Sequence, residues 1–194
     1  IQLELPPFTL IAATTRISLL SSPLRSRFSG GTFRLEFYTD EEIARIVRRS
    51  AGILGIALHP DAAAEIARRA RFTPRVANFL LKRCRDFAQV QKGDLTKDRV
   101  REALALLDID EIGLTALDRK ILDTVILKFA GGPVGLKTIA ASISEEEETI
   151  EEVNEPFLMQ LGLLDRTSRG RMATAKTYRH LGHDVPKERQ GGFL

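Results

Sequence analysis

Apolar residues along this chain fall into three successive rhythms. Up to Tyr38 they gather in short runs, Phe8-Thr9-Leu10-Ile11-Ala12-Ala13 and Phe33-Arg34-Leu35-Glu36-Phe37-Tyr38, behind the strand-like opening Ile1-Gln2-Leu3-Glu4-Leu5. Runs of this length predict two strands of a sheet whose other strands are absent, and the abrupt start reads as the truncation of a longer protein. From Thr39 the spacing turns helical. Thr39 with Glu42 makes a capping box ahead of Ile43, Ile46, Val47 and Leu54, and Gly55 closes the helix. A second helix starts at Pro60 or Asp61 and lines up Ala63, Ile66, Ala67 and Ala70. The third opens on Thr73-Pro74, an N-cap followed by proline, and places Val76, Leu80, Cys84 and Phe87 in a core. Thr96 caps a fourth, which carries Val100, Ala103, Leu104 and Leu107. These four helices predict a small bundle.

The third rhythm comes after a linker, Asp108 to Gly113. Thr115 to Asp118 is another capping signature, opening a helix that runs to Phe129 and breaks at Ala130-Gly131-Gly132-Pro133. A short helix spans Leu136, Ile139, Ala140 and Ile143; Ser144 with Glu147 caps the next, through Ile150, Val153 and Phe157. Leu163 to Thr174 reads as two strands around the basic turn Arg166-Thr167-Ser168-Arg169-Gly170-Arg171. Three helices and a hairpin describe a winged helix. The fold class is therefore α/β plus mainly α: a sheet remnant over 1–38, a bundle over 39–112, a winged helix over 113–183 and a disordered polar tail over 184–194.

Composition narrows the chemistry only a little. A net charge of +3 and a pI near 9.2 permit a nucleic-acid partner without requiring one. The single cysteine, Cys84, cannot form an internal disulfide, and no apolar run is long enough to cross a bilayer, so a cytoplasmic protein without a membrane partner is expected. His59, His180 and His183 lack metal-ligand spacing, and no metal site is expected. Arg68, Arg69 and Arg71 read as solvating the second helix.

Charge patterning is more telling. Arg16, Arg25 and Arg27 fall within twelve positions, and no acid lies between Pro6 and Arg34. The guanidinium fork suits phosphate, and two residues apart in extended chain Arg25 and Arg27 face one side. The bland alternative is a solvated loop. The hydroxyl pair Thr14-Thr15 precedes them, yet the chain contains no Gly-x-x-x-x-Gly-Lys-Ser/Thr phosphate loop. Arg75 sits second in its helix, where the macrodipole disfavours a cation, so it points to a phosphate partner or else pairs with Glu65 or Asp86. In the third unit the helix in the recognition position carries Glu145, Glu146, Glu147, Glu148, Glu151, Glu152 and Glu155 and no base. The hairpin and the segment after it carry Arg166, Arg169, Arg171, Lys176 and Arg179 against Asp165 alone. Any DNA contact then runs through the wing and its phosphates, with Arg166 and Arg171 flanking the turn and Arg169 at its tip. The alternative is a wing that serves protein contacts.

Six segments in order resemble the RuvB family of Holliday-junction branch-migration motors: Leu10 to Arg16, Ser22 to Phe28, Leu35 to Tyr38, Thr73 to Asn78, Gly131 to Leu136 and Arg166 to Arg171. The resemblance implies the end of an AAA+ P-loop ATPase domain, a four-helix AAA+ lid and a winged-helix DNA-binding domain. It implies an ATP hydrolase and DNA translocase, working as a hexamer with RuvA on duplex DNA at four-way junctions during recombination and repair. RuvC is a candidate further partner. ATP and Mg2+ would be bound mainly by a family region upstream of Ile1, leaving this chain inactive alone. By the same resemblance Thr14 matches a sensor orienting the attacking water, and Arg25, or its neighbour Arg27, matches the finger reaching a neighbouring subunit's ATP. Arg27, Tyr38 and Arg75 match nucleotide-contacting positions, and Arg166 and Arg171 match the wing's DNA-contacting arginines, with Arg169 at the tip between them. The chain departs from the family pattern at Ser29-Gly30-Gly31-Thr32, one residue longer, and at Ala12 and Phe72, each in place of a glycine. The rival readings are a sequence-specific winged-helix regulator, against which the acidic helix argues, and a protein-interaction module.

Overall fold

A computed structural model describes residues 6–28 and 30–187 of the chain, which divides into two units, residues 1–36 and 37–194. In the first, the expected strands do not form. Residues 8–13 and 33–36 have no ladder partner among the described residues, and Phe8, Leu10, Ile11, Phe33 and Leu35 stand exposed. A strand needs neighbours to satisfy its backbone and cover its apolar face, and the short runs alone supply neither. Phe37 and Tyr38, the end of the second run, likewise lie in no strand. Ile1 to Leu5 lies outside the described residues. What does form is a single turn of 3-10 helix, Ile17–Leu19, and a short helix α1, Ser22–Arg27, with Pro23 in its first turn.

The second unit begins with four helices: α2 (Asp40–Ile53), α3 (Pro60–Arg68), α4 (Pro74–Val90) and α5 (Lys97–Leu106). The Thr39 capping box closes as expected: Glu42 Oε2 accepts from the Thr39 amide at 2.9 Å, and Thr39 Oγ1 accepts from the Glu42 amide at 3.3 Å. Thr96 caps α5 through the Arg99 amide. Thr73 does not cap α4, since its hydroxyl donates back to the Ala70 carbonyl. The core joins Ile43, Val47, Ile66, Leu80, Leu81, Cys84, Val100 and Leu104. Against expectation Val76 and Phe87 are only half-buried, because Ala77, Leu81 and Ala88 take the inner face of α4, and Leu54 and Leu107, at the ends of α2 and α5, are exposed.

A second core, from Leu114 to Tyr178, belongs to the winged helix. Helix α6 (Ala116–Asp123) starts from a reciprocal Thr115–Asp118 capping box and continues as a π-type turn over Thr124–Lys128; α7 is Leu136–Ile143. Ser144 does not cap the following helix. It ends α7 in left-handed conformation, φ 57°, and the next helix rises from Glu146 through α8 (Glu147–Thr149), a π-type turn over Ile150–Asn154 and α9 (Glu155–Gln160). The wider π turn rotates the helix face. Asn154 is thereby buried where Val153 was expected, and Val153 is 57% exposed. Strands β1 (Leu164–Thr167) and β2 (Gly170–Ala173) pair antiparallel, Arg166 opposite Arg171, and β2 also bonds Val134 in both directions. A helix that the sequence pattern does not announce, α10 (Ala175–His180), is capped by Thr174 and buries Tyr178. Of the expected tail, residues 184–187 are described, and Val185 packs on the core; residues 188–194 lie outside the described residues.

Of the arginines assigned to solvent, Arg68 at the end of α3 is exposed, but Arg69 and Arg71 turn inward. Arg69, 6% exposed, donates to Glu65 Oε1 at 2.6 Å and to the Asp110 carbonyl at 2.7 Å. Arg71 donates to Asp118 Oδ2 and to the Val153 carbonyl, both at 2.9 Å, and lies over the Phe157 ring at 4.2 Å. Asp118 is fully buried and also accepts from Asn154 Nδ2 at 2.8 Å. The bundle is thus tied to the winged helix by buried charge, beyond what a solvated helix face would give.

Candidate functional site

The wing is built from its base upward. Gly170 has φ +136°, and a Cβ there would lie 2.5 Å from the Val134 carbonyl oxygen; only glycine lets β2 lie against that segment. Thr167 Oγ1 donates to the Gly170 carbonyl at 2.8 Å and closes the turn. Arg169 sits exposed at its tip. Arg166 projects from β1 with a half-exposed side chain, its Nη1 3.7 Å from both Glu151 Oε1 and Glu155 Oε1. Arg171 turns inward: Nε and Nη2 donate to Glu155 Oε2 at 3.1 and 2.8 Å, leaving the side chain 12% exposed. The acidic helix and the basic wing, opposed in sequence, are partners in space. Lys176 donates to the Leu161 carbonyl at 2.7 Å, and Arg179 is exposed on α10.

The nucleotide candidates divide between the two units. Thr14 is exposed, its hydroxyl accepting from the Arg16 amide at 3.0 Å. Arg25 and Arg27 do not share a side: on helical α1 two residues are about 200° apart. Both are exposed, and Ser29, where the chain departs from the family pattern, lies outside the described residues. In the second unit Tyr38 precedes the α2 cap, and the neighbouring Phe37 ring lies 6.3 Å from the Phe72 ring. Phe72 itself has φ 55°, a left-handed conformation that glycine adopts freely, and its ring also meets Phe157 at 6.0 Å. Three residues on, Arg75 is exposed at the second position of α4 and has no ion pair among the described residues. Neither expected acid takes it: Glu65 is held by Arg68, Arg69 and Arg101, and Asp86 by Arg83 and Arg85. A free cation against the helix dipole fits a phosphate ligand. Among the described residues no group of His, Cys, Asp and Glu could hold a metal ion, and no helix is long and apolar enough to cross a membrane.

Comparison with known proteins bears directly on these elements. Residues 38–110 match the model of the RuvB AAA lid domain, residues 111–182 the RuvB C-terminal winged-helix domain, and residues 1–35 the P-loop domain of the Holliday junction DNA helicase RuvB. The chain belongs to the RuvB family. It is 58% identical over 182 residues to the RuvB subunit of the Holliday junction branch migration complex from Oleidesulfovibrio alaskensis, covering 93% of this chain and 56% of that protein. It is similar in structure to the Thermotoga maritima RuvB Holliday junction branch migration motor, with a TM-score of 0.87 and 49% identity over 93% of this chain and 60% of that one. A point mutant of the Thermotoga protein matches with the same TM-score, 0.87, and the same coverage of both chains. The chain thus spans little more than half the length of these RuvB relatives.

The RuvB fold also shows what sequence reasoning misses. Glu155 is one acid among seven and nothing in its spacing sets it apart; only the packing of α9 against β1 and its bonds from Arg171 in β2 single it out. Arg71 and Asp118 are 47 residues apart, beyond any local pattern. Gly170 is legible in part, as a glycine between two arginines in a turn.

Proposed function

We propose that this chain is the lid and winged-helix portion, with the end of the large ATPase domain, of a cytoplasmic ATP-driven motor that moves Holliday junctions during recombination and repair. Its partners are duplex DNA at four-way junctions and RuvA, with RuvC as a candidate further one, and its working form is a hexameric ring. The observation that carries this reading is the wing: an anchored hairpin that holds Arg166 and Arg169 outward beside an acidic helix unsuited to reading a groove. Arg166 and Arg169 contact backbone phosphate, and Arg171, drawn inward, sets the strand that carries them. Thr14 and Arg25 serve ATP hydrolysis, orienting water and stabilising transferred phosphoryl charge, and Arg27, Tyr38 and Arg75 contact nucleotide. The exposed, unopposed Arg75 fits a phosphate. ATP and Mg2+ would be held mainly by the part of the relatives that this chain does not span, ATP supplying the phosphoryl group and the metal neutralising its charge.

Two measurements test this. Anisotropy titration of labelled four-way junction and two unrelated linear duplexes, across a salt series, should show sequence-blind binding that weakens steeply with salt. Arg166→Ala with Arg169→Ala should reduce the slope of log K against log salt by about 2, one per lost phosphate contact. A strong preference for one linear sequence would favour a regulator instead. ATP turnover by the chain alone should be undetectable, since positioning groups without a phosphate cradle leave the transition state unsupported; turnover abolished by Arg75→Ala would contradict the assignment.

A further inference from the structure

We propose that Glu155 is a positioning residue for DNA binding: its buried carboxylate keeps two facing wing arginines compatible and so presents Arg166 and Arg169 to phosphate. This rests on the DNA-binding role of the wing. Arg166 and Arg171 are direct cross-strand partners, so their side chains emerge on one face. Like charges so placed push a two-residue-turn hairpin apart. Glu155 lies between them, 2% exposed, one oxygen taken by both Arg171 donors and the other, which accepts no hydrogen bond among the described residues, facing Arg166 Nη1 at 3.7 Å. A carboxylate that deeply buried is tolerable only beside cations, and the cations are tolerable side by side only because of it. The three form one electrostatic unit, closed at its inner end by Arg171 and open at its outer end through Arg166.

Glu151 provides the contrast. It approaches Arg166 from the same helix at the same 3.7 Å, but its side chain is 45% exposed. It can only compete with phosphate for Arg166. Long-range electrostatics gives both acids one sign, since removing either should strengthen attraction to DNA. Positioning gives them opposite signs.

The experiment compares Glu155→Gln and Glu151→Gln with the parent chain, by anisotropy against a labelled linear duplex over a salt series. Glu151→Gln should bind more tightly. Glu155→Gln should bind roughly tenfold more weakly, with a salt slope shallower by about 1 as one arginine loses its place. Binding by Glu155→Gln at parent strength or tighter overturns the inference, and leaves the wing's DNA role standing if the parent chain binds. Failure of the parent chain to bind refutes the DNA reading and this inference with it. Should Glu155→Gln lose hydrogen-exchange protection in the core around Leu158 and Leu164, the variant Glu155→Asp, which keeps the charge but draws it back from both arginines, is titrated in its place. Weak binding by that folded variant supports the positioning role, and parent affinity overturns it.

Discussion

Replacing Glu65 with alanine should cost this chain about 3–5 kcal/mol of stability, because it strands a buried guanidinium. Glu65 is 1% exposed and accepts from Arg69 at 2.6 Å and Arg101 at 2.8 Å, with Arg68 also paired to it. Of the three, Arg69 is itself buried and cannot turn to water. Urea unfolding of the variant should show a lower midpoint, and adding Arg69→Met should recover much of the loss; an unchanged midpoint in the single variant would show the cluster to be idle. The same acid makes a pH prediction. Burial by itself pushes the carboxyl up, but the hydrogen bonds from Arg101 and Arg69, with the charges of Arg69 and Arg68, outweigh it and hold the pKa at about 2 against an ordinary 4.5. A group with a depressed folded pKa stabilises fully above its unfolded value and loses that contribution as pH falls through the folded one. Stability should therefore decline between pH 4.5 and about 2, and Glu65→Ala should flatten that decline.

Gly170→Ala should damage the wing almost as severely, by about 3 kcal/mol, through strain at a conformation closed to other residues and a clash with backbone. The added methyl would meet Val134 at its oxygen, carbonyl carbon and nitrogen, 2.5, 2.7 and 3.0 Å away, none of which can rotate aside. The wing must separate from Val134 or leave the left-handed conformation, and in both cases the Arg171–Glu155 pair is displaced. Thermal unfolding with hydrogen exchange should report lost protection at Val134 and Arg171, and DNA affinity should fall with it. Gly162→Ala is the control: φ is +67° there, nothing lies within 4 Å, and about 1 kcal/mol is expected. Equal losses in the two variants would mean that the contact with Val134 contributes nothing.

These two sites mark where local pattern stops being informative. Helices α2, α5 and α6 are legible because each carries its own start signal, a threonine whose side chain bonds the third amide inward. Ser144 looks the same in sequence and ends a helix instead, since its left-handed backbone completes α7. Arg25 and Arg27 are legible as cations but not as neighbours: the spacing that aligns them in extended chain separates them in α1. Arg68, Arg69 and Arg71 look alike, three bases around the end of one helix, yet one is half-exposed, one is buried on Glu65 and one reaches Asp118 in the next domain.

What the residues settle unaided is what short-range physics governs: the starts of α2, α5 and α6, the turn at Ser168-Arg169-Gly170, and the opposed charges of acidic helix and basic wing. Those depend on neighbours within a few positions, and a linear chain displays them directly. Which charges face solvent is a different kind of fact. The energy of a charge depends on the dielectric around it and on partners tens of residues away, so only the packed molecule decides that Arg171 and Arg69 turn inward while Arg166, Arg169 and Arg75 stay exposed.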